Sequence, residues 1–167
     1  MKALAGRDFL EAATAIVARA AAGGATVIVN DRADIARLSG AAGVHIGQDD
    51  LAPAQARAVL GPNAIVGLST HTAEQVDRAL REPIDYLAVG PIFGTGTKAT
   101  GYEPVGVEAV REAAVKASAR NLPVVAIGGI TLERSRSVLD AGAGSVAVIS
   151  DLLSGGDPAA RVREFLD

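Results

Sequence analysis

Short runs of continuously apolar residues alternate along this chain with stretches of helical spacing, and that alternation limits its possible folds more than any other feature. The apolar runs lie at residues 26–29, 43–46, 64–68, 86–89, 124–127 and 145–149. Between and around them, 7–22, 32–39, 53–60, 73–80, 107–120, 132–141 and 158–166 are rich in Ala, Leu, Glu and Arg at helical spacing. A strand that is apolar at every position, rather than at alternate ones, is covered on both faces. Strands of that kind separated by single helices imply right-handed βαβ units and a parallel sheet. Punctuation agrees with the segmentation. Thr72 with Gln75 makes a capping box, Thr131 stands at an N-cap, Asp157 precedes Pro158 at a helix start, and Gly142 closes a helix.

The chain has 167 residues, which predicts one domain over 1–167. Only 3% of residues are aromatic, so the core has to be built from Ala, Val, Ile and Leu. Six strands and an initial helix leave two closures open: an open doubly wound sheet, or a (β/α)8 barrel lacking its first two strands. The net charge is −3 with no basic block, which argues against nucleic acid as a partner but leaves room for a small phosphorylated ligand. The absence of cysteine excludes disulfides, thiolate catalysis and a Cys-based zinc site. No apolar run reaches the roughly 18–20 residues that span a bilayer, and no targeting segment is evident, so a cytoplasmic location is expected.

In a parallel α/β fold, ligands sit at the carboxyl ends of the strands. Polar residues gather there after every predicted strand: Asn30-Asp31-Arg32, Gly47-Gln48-Asp49-Asp50, Ser69-Thr70-His71-Thr72, a long loop from Gly90 to Lys98, Gly128-Gly129-Ile130-Thr131, and Ser150-Asp151. Turn and cap chemistry explains any one of these equally well, but six on one edge point to a site. Asp31 and Asp50 are the best metal candidates, because Mg²⁺ takes one or two carboxylates together with substrate phosphates. Spacing alone does not choose between Asp49 and Asp50. The glycine- and hydroxyl-rich segment 94–98, ending in a lysine, suits phosphate but lacks the Walker A spacing. Gly128-Gly129 and Ser150, followed by a short helix at 151–153, match the phosphate seats of barrel enzymes. His45, inside an apolar run, reads as a core histidine; His71, in a strand-end loop, is a candidate acid or base.

Taken in order, Val27-Ile28-Val29-Asn30-Asp31-Arg32, Gly43-Val44-His45-Ile46-Gly47-Gln48-Asp49-Asp50 and Gly67-Leu68-Ser69-Thr70-His71-Thr72 resemble thiamine-phosphate synthases. So do Val89-Gly90-Pro91-Ile92-Phe93 with Thr95-Gly96-Thr97-Lys98, Ala126-Ile127-Gly128-Gly129-Ile130-Thr131 and Val146-Ala147-Val148-Ile149-Ser150. The resemblance implies an α/β fold of the (β/α)8 TIM-barrel type, incomplete, with the first two strands missing. It implies a transferase that joins a pyrimidine diphosphate to a thiazole phosphate, giving thiamine monophosphate and pyrophosphate. Asp31 and Asp50 would hold Mg²⁺. Lys2, Asn30, Ser69 and Lys98 would bind the pyrimidine diphosphate, with Ser69 and Lys98 as the catalytic groups. Thr95, Gly96, Thr97, Gly129, Ile149 and Ser150 would hold the thiazole phosphate.

Two departures from the family pattern carry expectations. Of a Gln-x-Arg-x-Lys motif that grips the pyrophosphate only Lys2 stands at the equivalent place, which predicts weakened turnover and a partner chain or homo-oligomer that completes the barrel. Gly96 replaces a more rigid residue and predicts a looser loop. Two rival readings remain: a thiazole tautomerase using His71, and a non-catalytic barrel fragment that binds a phosphorylated metabolite.

Overall fold

The computed structural model describes residues 5–94, 96 and 101–166. They form an α/β chain of six strands and eight helices among the described residues, divided into two compact units. The first unit runs to Ser69 and includes Arg81–Asp85; the second comprises Thr70–Leu80 and the chain from Tyr86 onward.

The first unit contains α1 (Gly6–Ala22), β1 (Ile28–Asn30), α2 (Ala33–Ser39), β2 (Gly43–Ile46), α3 (Pro53–Leu60) and most of β3 (Ile65–Thr70). Its strands pair in parallel, with Ile28 opposite Gly43, Asn30 opposite His45, and Ile46 opposite Leu68. Val44, Ile46 and Val66 are wholly inaccessible to solvent. Burying side chains of this size stabilises the fold by about 1.5–3 kcal/mol each. Phe9 and Ala13, one helical turn apart, form the buried stripe of α1, which packs on α2. Buried alanines (Ala33, Ala36 and Ala56) bring the helix backbones close to the sheet and spare the core large aromatic groups.

At the amino ends of these strands one guanidinium ties the unit together. Arg57 of α3 donates to the carbonyls of Pro62 at 3.0 Å, Ala64 at 3.1 Å and Pro83 at 2.9 Å, and to the Asp85 carboxylate at 2.7 Å. Asp85 in turn accepts the Val66 N–H at 2.7 Å. A planar group with five fixed donors suits this task, and lysine could not replace it.

The second unit contains α4 (Ala73–Ala79), β4 (Tyr86–Val89), α5 (Gly106–Ser118), β5 (Val124–Ile127), α6 (Leu132–Asp140), β6 (Ser145–Ala147), α7 (Ser150–Leu153) and α8 (Pro158–Leu166). Its strands are again parallel, with Leu87 opposite Val124 and Ile127 opposite Ala147. Leu87, Val110, Ala126 and Val138 are fully buried. No helix among the described residues is long and apolar enough to cross a membrane.

Of the expected caps, Asp157 behaves as read: its carboxylate accepts the N–H groups of Ala159 and Ala160, each at 3.0 Å. Thr72 forms only half of a capping box. Its hydroxyl accepts the Gln75 N–H at 3.3 Å, but the Gln75 side chain accepts from the His71 N–H at 2.6 Å instead. Thr131 occupies the N-cap without capping. Its hydroxyl bonds to the Glu133 carboxylate, which it helps to hold below the usual carboxylate range, while the first amide of α6 is taken by Asp151.

Candidate active site

In the first unit the candidate residues converge at the carboxyl ends of three paired strands. Asn30 ends β1, and Asp31 follows with φ 65°. Aspartate tolerates that left-handed conformation better than most residues. The Asp31 N–H donates to the His45 carbonyl at 2.7 Å, so the β1–β2 ladder continues one residue past the strand. The Asn30 amide donates to Asp31 Oδ1 at 2.7 Å, fixing both side chains. Beyond β2, Asp50 Oδ2 accepts the Gly47 N–H at 2.8 Å and closes the loop back on the strand end. Gln48 extends from the same loop and donates to the Ser69 carbonyl at 2.7 Å.

His45 was not legible as a site residue. Its Nε2 lies 2.7 Å from Ser69 Oγ, and both residues are half-buried. The register explains the contact. His45 stands opposite Gly67, which has no side chain, and Ser69 shares the face of Gly67 two residues on. The imidazole therefore leans along the sheet and reaches the serine hydroxyl. The glycine opposite the histidine was the available signal, but it requires the strand register to be known.

The chemistry of the first unit is that of hard oxygen donors. Asp31 and Asp50 contribute carboxylates from neighbouring strand ends, each with one oxygen fixed by a donor of the chain. No group of three or more potential ligands clusters among the described residues. Two carboxylates fit an ion that completes its shell with phosphate oxygens and water, as Mg²⁺ does.

In the second unit the loop after β4 follows the end of β5: Ile92 N–H donates to the Ile127 carbonyl at 2.9 Å and Phe93 N–H to the Gly128 carbonyl at 3.0 Å. Gly129, with φ 63°, lies directly beneath this loop. A Cβ placed on it would stand 2.6 Å from the Gly94 carbonyl oxygen. Arg134 of α6 spreads its guanidinium 4.8 Å from the Phe93 ring centre and donates to the Gly129 carbonyl at 3.0 Å. Gly96 is exposed, in a bend. Ile149 and Ser150 are exposed where β6 gives way to α7, and Ser150 is the first residue of that helix. Lys2, Thr95, Thr97 and Lys98 lie outside the described residues.

His71 is engaged structurally. Its Nδ1 donates to the Gly90 carbonyl at 2.5 Å, and its ring stacks on Tyr102 with centroids 4.1 Å apart. The same histidine borders a cavity of about 260 Å³ between α4 and α5, lined mainly by Val76, Val89, Val105, Ala109 and Ala113, and none of the residues expected to bind substrate or metal lines it.

A family model described as thiamine monophosphate synthase matches residues 1–152. A thiamine-phosphate synthase of Koribacter versatilis is 53% identical over 141 residues, covering 84% of this chain and 64% of that protein. One from Chlorobium luteolum is 41% identical over 165 residues, covering 99% of this chain and 76% of that protein. Among solved structures, a thiamine phosphate pyrophosphorylase from Pyrococcus furiosus superposes with a TM-score of 0.90 at 30% identity, over 99% of this chain and 78% of that one.

Proposed function

The chain belongs to the thiamine monophosphate synthase family, and from that premise we propose that it joins a pyrimidine diphosphate to a thiazole phosphate, forming thiamine monophosphate and pyrophosphate. The observation that carries this reading is the set of strand-end groups in the first unit: an amide, two carboxylates and a hydroxyl, each held by a hydrogen bond of the chain. Such a set suits a diphosphate and its counter-ion. The His71 ring, fixed by Gly90 and Tyr102, gives no comparable support to tautomerase chemistry.

In this reading the bond between the pyrimidine methylene carbon and the diphosphate oxygen breaks, and its electron pair leaves with pyrophosphate. The thiazole nitrogen then supplies the pair for the new carbon–nitrogen bond. Charge stabilisation and alignment dominate such a displacement, and no strong base is required. Asn30 and Ser69 orient the pyrimidine diphosphate, and Lys2 and Lys98 serve its phosphates. Asp31 and Asp50 would hold Mg²⁺, which would supply positive charge to the leaving group. Thr95, Gly96, Thr97, Gly129, Ile149 and Ser150 seat the thiazole phosphate. We further propose that the six strands correspond to six of the eight in a (β/α)8 barrel.

The test is calorimetric binding of the pyrimidine diphosphate with and without Mg²⁺, followed by assay of thiamine monophosphate with both substrates present. Mg²⁺-dependent binding that Asp31→Ala weakens at least about tenfold is expected, since an oxygen ligand is lost from a two-carboxylate site. Binding indifferent to Mg²⁺ would remove the synthase reading.

A further inference from the structure

Two of the loops assigned to the thiazole phosphate, 128–131 and 149–150, leave the neighbouring strands β5 and β6. One carboxylate bridges them. Asp151, next to Ser150, accepts the N–H of Leu132, the first residue of α6, on Oδ2 at 3.3 Å. The same oxygen receives two nitrogens of Arg161 from α8, Nε at 2.9 Å and Nη2 at 2.8 Å. Arg161 also pairs with Glu164 at 2.7 Å and approaches Glu133 at 3.6 Å. The Asp151 side chain is 11% exposed and that of Arg161 20%, so the pair is shielded from water. Two charge-assisted donors converging on one carboxylate oxygen hold both side chains in place as well as adding stability.

Asp151 is out of place electrostatically. It puts a negative charge next to a loop meant for a phosphate dianion, and Arg161 is the cation that offsets it. We propose that Arg161 and Asp151 are positioning residues for the phosphate end of the thiazole substrate: the pair holds the β5–α6 and β6–α7 loops at the spacing of one phosphate and neutralises the carboxylate beside it. The inference rests on the assignment of those loops to the phosphate.

It is tested by the binding of thiamine monophosphate and of unphosphorylated thiamine to the whole chain, measured by calorimetry alongside thermal unfolding. Arg161→Met leaves Asp151 unpaired beside the phosphate, so it weakens thiamine monophosphate about tenfold or more while altering thiamine binding by less than about threefold. Arg161→Lys restores the charge without the fork and recovers part of the loss. Asp151→Asn, which keeps an acceptor for Leu132 and removes the charge, costs less than Arg161→Met. If Arg161→Met binds thiamine monophosphate as tightly as the parent, or weakens both ligands equally, the positioning role is overturned while the phosphate seat stands. If the parent chain discriminates against neither ligand, the seat itself is misassigned and the inference falls with it.

Discussion

Replacing Gly129 by alanine tests the fold and the site together, because two costs meet at one atom. The first is conformational: at φ 63° an L-residue carries a penalty of about 1–2 kcal/mol. The second is steric. The added Cβ would stand 2.6 Å from the Gly94 carbonyl oxygen, 2.9 Å from Phe93 Cβ and 3.0 Å from the Phe93 carbonyl oxygen. Two of these neighbours are backbone atoms and cannot rotate aside. Moving them strains the bond from Phe93 N–H to the Gly128 carbonyl, and overpacking of this kind costs about 1–3 kcal/mol. The sum is about 2–5 kcal/mol, a large fraction of the 5–15 kcal/mol that stabilises a typical domain. Urea unfolding measures it, with Gly156→Ala as the reference. Gly156 has φ 78° in the same unit, and no atom lies within 4 Å of its added Cβ, so that variant bears the conformational cost alone. The difference between the two variants isolates the contact with the 93–94 loop. A difference below about 0.5 kcal/mol would refute the close seating of that loop on Gly129.

Two further outcomes follow from single side chains. Arg57→Met removes donors from Pro62, Ala64, Pro83 and Asp85, so the denaturation midpoint should fall by the equivalent of about 2–4 kcal/mol; a loss under about 0.5 kcal/mol would show that these bonds are dispensable. Burial pushes the Tyr86 phenol up to about 12, above its value of about 10 in an unfolded chain. The folded form therefore keeps its proton where the unfolded form has lost it, and stability present below pH 10 declines as the pH rises toward 12. In Tyr86→Phe the thermal midpoint should decline less over that range, and parallel pH profiles for parent and variant would contradict the assignment.

Much of this architecture is legible in the amino-acid pattern, and the misses have physical causes. The strands at Gly43–Ile46, Tyr86–Val89 and Val124–Ile127 and the helices at Pro53–Leu60 and Pro158–Leu166 fall where apolar runs and proline or glycine breakers put them. The first strand lies at Ile28–Asn30 instead of 26–29, because Asn30 pairs with His45 and turn propensity yields to the ladder. The last strand stops at Ala147, where the residues opposite it in β5 end, although the apolar run continues to Ile149. Asn30, Asp31, Asp50 and Ser69 could be singled out because polar residues at strand ends stand out against apolar runs. His45 could not, since its own run is apolar, and only the pairing with Gly67 reveals the path to Ser69. The Asp151–Arg161 bridge was hidden for a related reason: its partners are ten residues apart, on two helices.

The distribution of charge argues that support and chemistry have been kept apart along the strands. In the first unit Arg57 and Asp85 satisfy backbone groups at the amino ends, and Asn30, Asp31, Asp50 and Ser69 occupy the carboxyl ends. An Arg57 variant should therefore lower stability without changing ligand affinity, and an Asp31 variant should do the reverse. In the second unit, by contrast, a supporting carboxylate, that of Asp151, stands among the loops assigned to phosphate. A negative charge there is tolerable only while a cation answers it. Arg161 meets that requirement because three carboxylates, those of Asp151, Glu133 and Glu164, keep it in place. The bond to Glu164, opposed by burial and reinforced by Asp151, also holds its guanidinium pKa above the ordinary value. A cation held by three anions stays away from the phosphate itself, so it acts on the ligand through the loops it fastens and the carboxylate charge it cancels.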